Sequence, residues 1–146
     1  MVLALLPLLQ APAAASTSVI FLFADDAGRA DFGCQTNLTG PATEFLTPNL
    51  DRMASEGIAC SQAYVASPVC SPSRAGLLAG RTPQRFGYEY NISNADDPDD
   101  GIPVTEKILT ERMDELGYAV GVVGKWHIGR EDAKQPIRRG VEYFFG

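Results

Sequence analysis

Cys70-Ser71-Pro72-Ser73-Arg74 is the densest chemical signal in this 146-residue sequence. Pro72 in a first turn and Gly80 beyond the last predict a helix over 71–79. Cys70 then stands where amide dipoles, and the Arg74 guanidinium one turn on, stabilise an anionic sulfur. The competing reading is a small buried core cysteine. Asp25-Asp26 forms a second cluster directly after an apolar run. Two adjacent carboxylates at a buried strand end are costly unless a cation neutralises them, and a hard divalent ion is the natural partner for carboxylate oxygens. Otherwise the pair is a turn, with one Asp capping a helix and the other in water. Lys125 and His127, the latter the chain's single histidine, form the third cluster after another apolar run. Taken alone, a solvated lysine and a structural histidine are the everyday roles of such residues. Trp126 reads as packing or a pocket wall, and Arg130, Arg138 and Arg139 as a solvated basic surface.

The elements that must carry these residues are legible in outline. Ser18 to Phe23 is a short apolar run rich in β-branched and aromatic residues, predicting a buried, parallel strand. Thr47 to Gly57 combines a capping Thr, Pro at the first helical position, an apolar face of Leu50, Met53 and Ala54, and a terminal Gly, which predicts a helix. A strand is expected over 58–65, followed by a loop that delivers Cys70. Residues 91–101, with Asp96, Asp97, Asp99 and Asp100 around Pro98, predict a solvated loop without the spacing of an EF-hand calcium site. A helix over 105–116 with Ile108, Leu109, Met113 and Leu116 inward precedes a strand over 118–123. Strand, helix, strand order argues for an α/β layer with a largely parallel sheet. Ligands of such sheets bind beyond the carboxyl ends of the strands, where Asp25-Asp26 and Lys125–His127 are expected to lie.

The chain is 45% hydrophobic and 21% charged, the composition of a globular domain. Its net charge of −6 offers no electrostatic footprint for nucleic acid. The apolar start, Met1 to Ala15, is broken by Pro7, Gln10 and Pro12 and is too short for a membrane span. With small residues before Ser16, residues 1–15 are expected to be a secretory signal peptide, and residues 16–146 the domain proper. Cys34, Cys60 and Cys70 lack the C-x-x-C pairings of a zinc or thioredoxin site, and an odd count in a secreted chain leaves at least one sulfur for other chemistry, which points to Cys70. Asn37-Leu-Thr39 and Asn91-Ile-Ser93 fit the N-glycosylation pattern.

C-x-P-S-R followed by Leu78, Gly80 and Arg81 resembles the signature of type I sulfatases. Further segments resemble that family in the same order: Asp25-Asp26-x-Gly28-x-x-Asp31-x-Gly33-Cys34, Thr47-Pro48-Asn49-Leu50-Asp51, Gly124-Lys125-Trp126-His127-x-Gly129, and Arg139-Gly140 with the closing Phe144-Phe145-Gly146. The resemblance covers 19–146. It implies an alkaline-phosphatase-like α/β sandwich with a largely parallel central sheet, incomplete in this chain, and sulfate ester hydrolysis. It further implies that a formylglycine-generating enzyme oxidises Cys70 to formylglycine, whose hydrate attacks sulfur. In that mechanism Asp25, Asp26 and residue 70 hold Ca²⁺ or Mg²⁺, Arg74 offsets negative charge, Lys125 binds the hydrate and a sulfate oxygen, and His127 takes a proton. The substrate would be a sulfated small molecule or saccharide, and the location secreted, periplasmic or lysosomal. Ala79 stands where the extended motif commonly has Thr. The Asp-Asn pair, second His and further Lys that complete the family's site have no counterparts here, so an N-terminal part of a sulfatase, inactive alone, is expected. The alternatives are a phosphonate monoester or phosphodiester hydrolase of the same fold, and a non-catalytic secreted fragment.

Overall fold

The computed structural model describes residues 2–7, 17–35, 46–92 and 100–146. They form two compact units: Met1–Phe23 with Val65–Gly146, and Ala24–Tyr64.

The first unit is built on a sheet of β1 (Val2–Pro7), β2 (Ile20–Leu22), β3 (Tyr118–Val123) and β4 (Tyr143–Phe145), in the order β2-β1-β3-β4. β3 and β4 pair in parallel, and β1 pairs antiparallel with both β2 and β3. β2, β3 and β4 therefore run the same way, as expected, and their carboxyl ends face one side. β1 lies within the expected signal segment, for which the sequence pattern predicts no strand. A six-residue apolar run extends easily, and here it pairs along β3 from Val2 opposite Val123 to Pro7 opposite Tyr118.

β3 shows the alternation of a strand with one covered face: Val120 and Val122 are buried and Val123 is exposed. Against it packs α3 (Leu109–Glu115), and α2 (Cys70–Ala79) packs on α3, in a core that includes Ala75, Leu78, Ile102, Ile108, Trp126 and Ile128. β2 corrects one expectation, since Ile20 and Leu22 are 68% and 54% exposed and only Phe21 leans on the core. A strand is buried on both faces only where elements cover both. α3 corrects another. Pro103 to Glu106 closes a turn first, and the Glu111 carboxylate reaches back 2.8 Å to the Ile108 N–H, so the helix starts at Leu109. Leu116 is exposed, while Thr110 is buried and donates to the Arg139 carbonyl at 2.5 Å. Arg139 is not surface. It lies in the core, with Nε and Nη2 on the Glu111 carboxylate at 2.8 and 3.0 Å and Nη2 on the Glu106 carbonyl at 2.6 Å. Arg130 and Arg138 are exposed, as expected.

The second unit contains α1 (Pro48–Glu56), which stops at Gly57 as the sequence predicts. Thr47 does not cap it through its side chain. Its hydroxyl instead accepts the Gly33 N–H and donates to Asp51, and Asp51 accepts the Cys34 N–H at 2.7 Å. A Cβ on Gly33 would stand 2.6 Å from Asp51 Oδ2, so glycine is required for this approach. The strand expected over 58–65 does not form. Ile58, Tyr64 and Val65 are exposed with no ladder partner among the described residues, and alternation alone supplies no hydrogen bonds. The Asn37 triplet and residues 93–99 of the expected acidic loop lie outside the described residues.

Candidate active site

α2 begins at Cys70, one residue before the sequence-predicted start, with Val69 as N-cap and Gly80 as a left-handed C-cap at φ 65°. Seven of its ten residues are buried, whereas the Cys70 side chain is half-buried. None of the three cysteines is in a disulfide. Arg74, one turn after Cys70, is fully buried. Its guanidinium lies 5.1 Å from the centre of the Phe23 ring and donates through Nη1 to the Lys125 carbonyl at 2.8 Å. A buried guanidinium is tolerable only where acceptors and a polarisable face receive it. Phe23 follows β2 and Lys125 follows β3, so one side chain joins the Cys70-bearing helix to the carboxyl ends of both strands.

Beyond β3 the chain turns at Gly124, whose N–H bonds the Phe145 carbonyl at 2.7 Å. The next side chains alternate: Lys125 exposed, Trp126 buried, His127 half-buried, Ile128 buried. Trp126 donates its indole N–H to the Lys134 carbonyl at 3.0 Å, which bears out its reading as packing. The Ile102 N–H bonds the Ile128 carbonyl at 2.8 Å and Gly101 bridges Gly129. This pins the far end of the His127 run. His127 and Asp26 are the two non-glycine residues with positive φ among those described, at 60° and 53°. Histidine and aspartate are among the few side chains that tolerate that region, and such residues cluster at functional sites.

Asp25 and Asp26 open the second unit, two and three residues after Phe23, and both are exposed. Within the first unit, Cys70, Arg74, Lys125 and His127 belong to one corner of the fold, formed by the start of α2 and the end of β3. Sequence reasoning missed Phe23 as the face that receives Arg74, and Asn91, whose side chain accepts the Ser71 N–H at 2.9 Å. Asn91 registers in the sequence only as the start of a glycosylation triplet and of the solvated loop expected over 91–101. Near the same turn, burial pushes the Tyr88 phenol up to about 12. Proximity to Ser71 opposes the shift, and Asp100 and Tyr90 add to it.

A cysteine-headed helix locked by a buried arginine to the carboxyl ends of like-directed strands defines an α/β protein with its candidate site at the carboxyl end of the sheet. The sulfatase family profile matches residues 17–146, and the chain belongs to the sulfatase family. It is 41% identical to N-acetylgalactosamine-6-sulfatase of Mus musculus over 152 aligned residues, covering 100% of this chain and 28% of that protein. With arylsulfatase G of Rattus norvegicus it shares 38% identity over 129 residues, 88% of this chain and 23% of the relative. The crystal structure of Ps i-CgsB superposes with a TM-score of 0.73 at 36% identity, over 84% of this chain and 27% of that one. The same protein in complex with k-i-k-neocarrahexaose gives 0.73 at 35%. The chain thus spans about a quarter of the length of the proteins it matches. Their alkaline-phosphatase-like α/β architecture is the fold of which it forms a part.

Proposed function

We propose that the protein hydrolyses sulfate esters, releasing sulfate and an alcohol, and that this chain carries the nucleophile, its anchoring arginine and part of the metal site. The observation that carries the reading is Arg74, buried between Phe23 and the Lys125 carbonyl one turn from Cys70. Oxidised to an aldehyde and hydrated, residue 70 would present a geminal diol as nucleophile. Arg74 orients this residue by fixing its helix, and its charge offsets the anion beside it. Lys125 binds a sulfate oxygen and an oxygen of residue 70, stabilising charge as the ester bond breaks. His127 removes a proton from the second hydroxyl of residue 70 as sulfate leaves.

Asp25, Asp26 and residue 70 are the proposed ligands of Ca²⁺ or Mg²⁺. The donor set fits a hard cation, being carboxylate oxygens and a hydroxyl, and three residues of chain reach at most about 10 Å from Phe23. When bound, the ion acidifies the nucleophile and neutralises sulfate charge. A sulfated saccharide is the proposed substrate class, since N-acetylgalactosamine-6-sulfatase is named for one and Ps i-CgsB was solved with a hexaose. Residues 1–15 are proposed to be a signal peptide that sends the chain outside the cytoplasm, and no helix of the described residues is long and apolar enough to cross a membrane.

The test uses the full-length protein coexpressed with a formylglycine-generating enzyme. The expected result is an aldehyde at residue 70 by peptide mass, and aryl sulfate turnover that exceeds aryl phosphonate turnover and is abolished by Cys70→Ala. An unmodified thiol together with no turnover would sink the proposal. Preference for phosphonate would move the chemistry to the related phosphonate hydrolases.

A further inference from the structure

The first turn of α2 lacks a cap from its own sequence neighbourhood. Val69, the N-cap, has no side-chain oxygen, Pro72 has no N–H, and the Ser73 N–H is met by the Val69 carbonyl at 3.1 Å. The Ser71 N–H is met from twenty residues away, donating to Asn91 Oδ1 at 2.9 Å. In return the Ser71 hydroxyl, in a fully buried residue, accepts the Ile92 N–H at 3.1 Å. The exchange is reciprocal, as in a capping box, but it is made between distant segments. Ile92 is itself part of the core, which anchors the partner segment.

We propose that Asn91 is a positioning residue for the nucleophile at residue 70. Cys70 opens α2 directly ahead of two fixed points, the Asn91–Ser71 clamp at the next residue and the Arg74 anchor one turn on. The clamp restrains the backbone at the residue next to the reacting group, three residues nearer to it than the Arg74 anchor. Its catalytic consequence rests on the sulfatase reading, because a reacting group displaced by about 1 Å can cost up to 10²-fold in rate. The clamp needs one acceptor oxygen on a side chain of this length. It needs no amide N–H and no glycan, although Asn91-Ile-Ser93 fits the acceptor triplet.

Three variants of the full-length protein test this, with rates normalised to the aldehyde content of residue 70 by peptide mass. Asn91→Ala is expected to lower kcat about tenfold with KM within about twofold. Asn91→Asp keeps the oxygen and is expected to recover kcat to within about threefold of the parent, a rescue that loss of a glycan would not allow. Ser93→Ala removes the triplet, keeps Asn91 and is expected to match the parent. Amide hydrogen exchange in the peptide containing Ser71 provides a readout independent of turnover: faster in Asn91→Ala, parental in Asn91→Asp. Parental exchange and kcat in Asn91→Ala would overturn the proposal, as would Asn91→Asp behaving like Asn91→Ala, or Ser93→Ala losing as much as Asn91→Ala. A parent without aldehyde or sulfate turnover would defeat the sulfatase reading, and the exchange measurement would still decide the clamp.

Discussion

α1 and α2 begin alike in sequence, each with proline in the first turn, and end in opposite circumstances. α1, nine residues with a clear apolar face, has no buried residue. α2, ten residues with less regular patterning, buries seven. Amphipathic spacing announces a helix able to bury one face, but whether it does so depends on what arrives to cover it. α2 is covered by α3 and the 83–92 segment, which leaves it little freedom. Cys70, Ser73 and Leu77 are the three residues of α2 that stay half-buried, and the support around them is what the proposed role of residue 70 requires.

The sharpest way to break this contrast is Arg74→Met. It should destabilise the first unit by about 3 kcal/mol, because the Lys125 carbonyl loses its donor and the cavity is imperfectly refilled. Urea unfolding followed by Trp126 fluorescence measures this, and a loss no greater than that of a surface substitution would deny Arg74 its anchoring role.

Tyr88 carries the next effect, which appears only in alkali. Its phenol is raised in the fold to about 12 from 10.0. The stability it contributes is fully present below pH 10 and is lost as pH rises from there through about 12, because the unfolded chain ionises first. The whole loss is roughly 2–3 kcal/mol. Tyr88→Phe should remove this part of the alkaline decline, and an ultraviolet tyrosinate titration should show a late-titrating group. Identical pH–stability curves for parent and variant would show that the phenol is not held neutral by the fold.

In the second unit the effects should shrink. Thr47→Val deletes the acceptor of the Gly33 N–H and a donor to Asp51, with an expected cost of about 1 kcal/mol. Exchange of the Gly33 amide should quicken while that of β3 stays as it is. Arg52→Ala should change stability by less than about 0.5 kcal/mol, since both partners of its 4.0 Å pair with Glu56 are well exposed. A larger loss would mean that α1 is supported more firmly than its exposure indicates.

Much of the local architecture is legible in the amino-acid sequence. Pro and Gly bracket α1 and α2 because their backbone chemistry is local, and the apolar run of β3 declares itself for the same reason. The strand expected over 58–65 fails because a strand is completed by a neighbour, which alternation cannot promise. Arg139 reads as surface in sequence because nothing local distinguishes an arginine destined for Glu111 and the Glu106 carbonyl from one destined for water. Asn91 escapes notice for an equivalent reason, its partner being twenty residues away.

What the sequence by itself determined is the set of chemical groups and their local starts and stops: Cys70 at a helix N-terminus, Arg74 one turn later, Lys125 and His127 after a strand, and the acidic pair after another. Tertiary structure alone decided that the Arg74 guanidinium spans Phe23 and the Lys125 carbonyl, that β1 enters the sheet between β2 and β3, and that Asn91 clamps Ser71. Turns and helix ends are governed by dihedral preferences within a few residues. A buried cation or an orphaned amide must instead find its partner wherever the fold brings one within about 3 Å, and that distance is not written in local sequence.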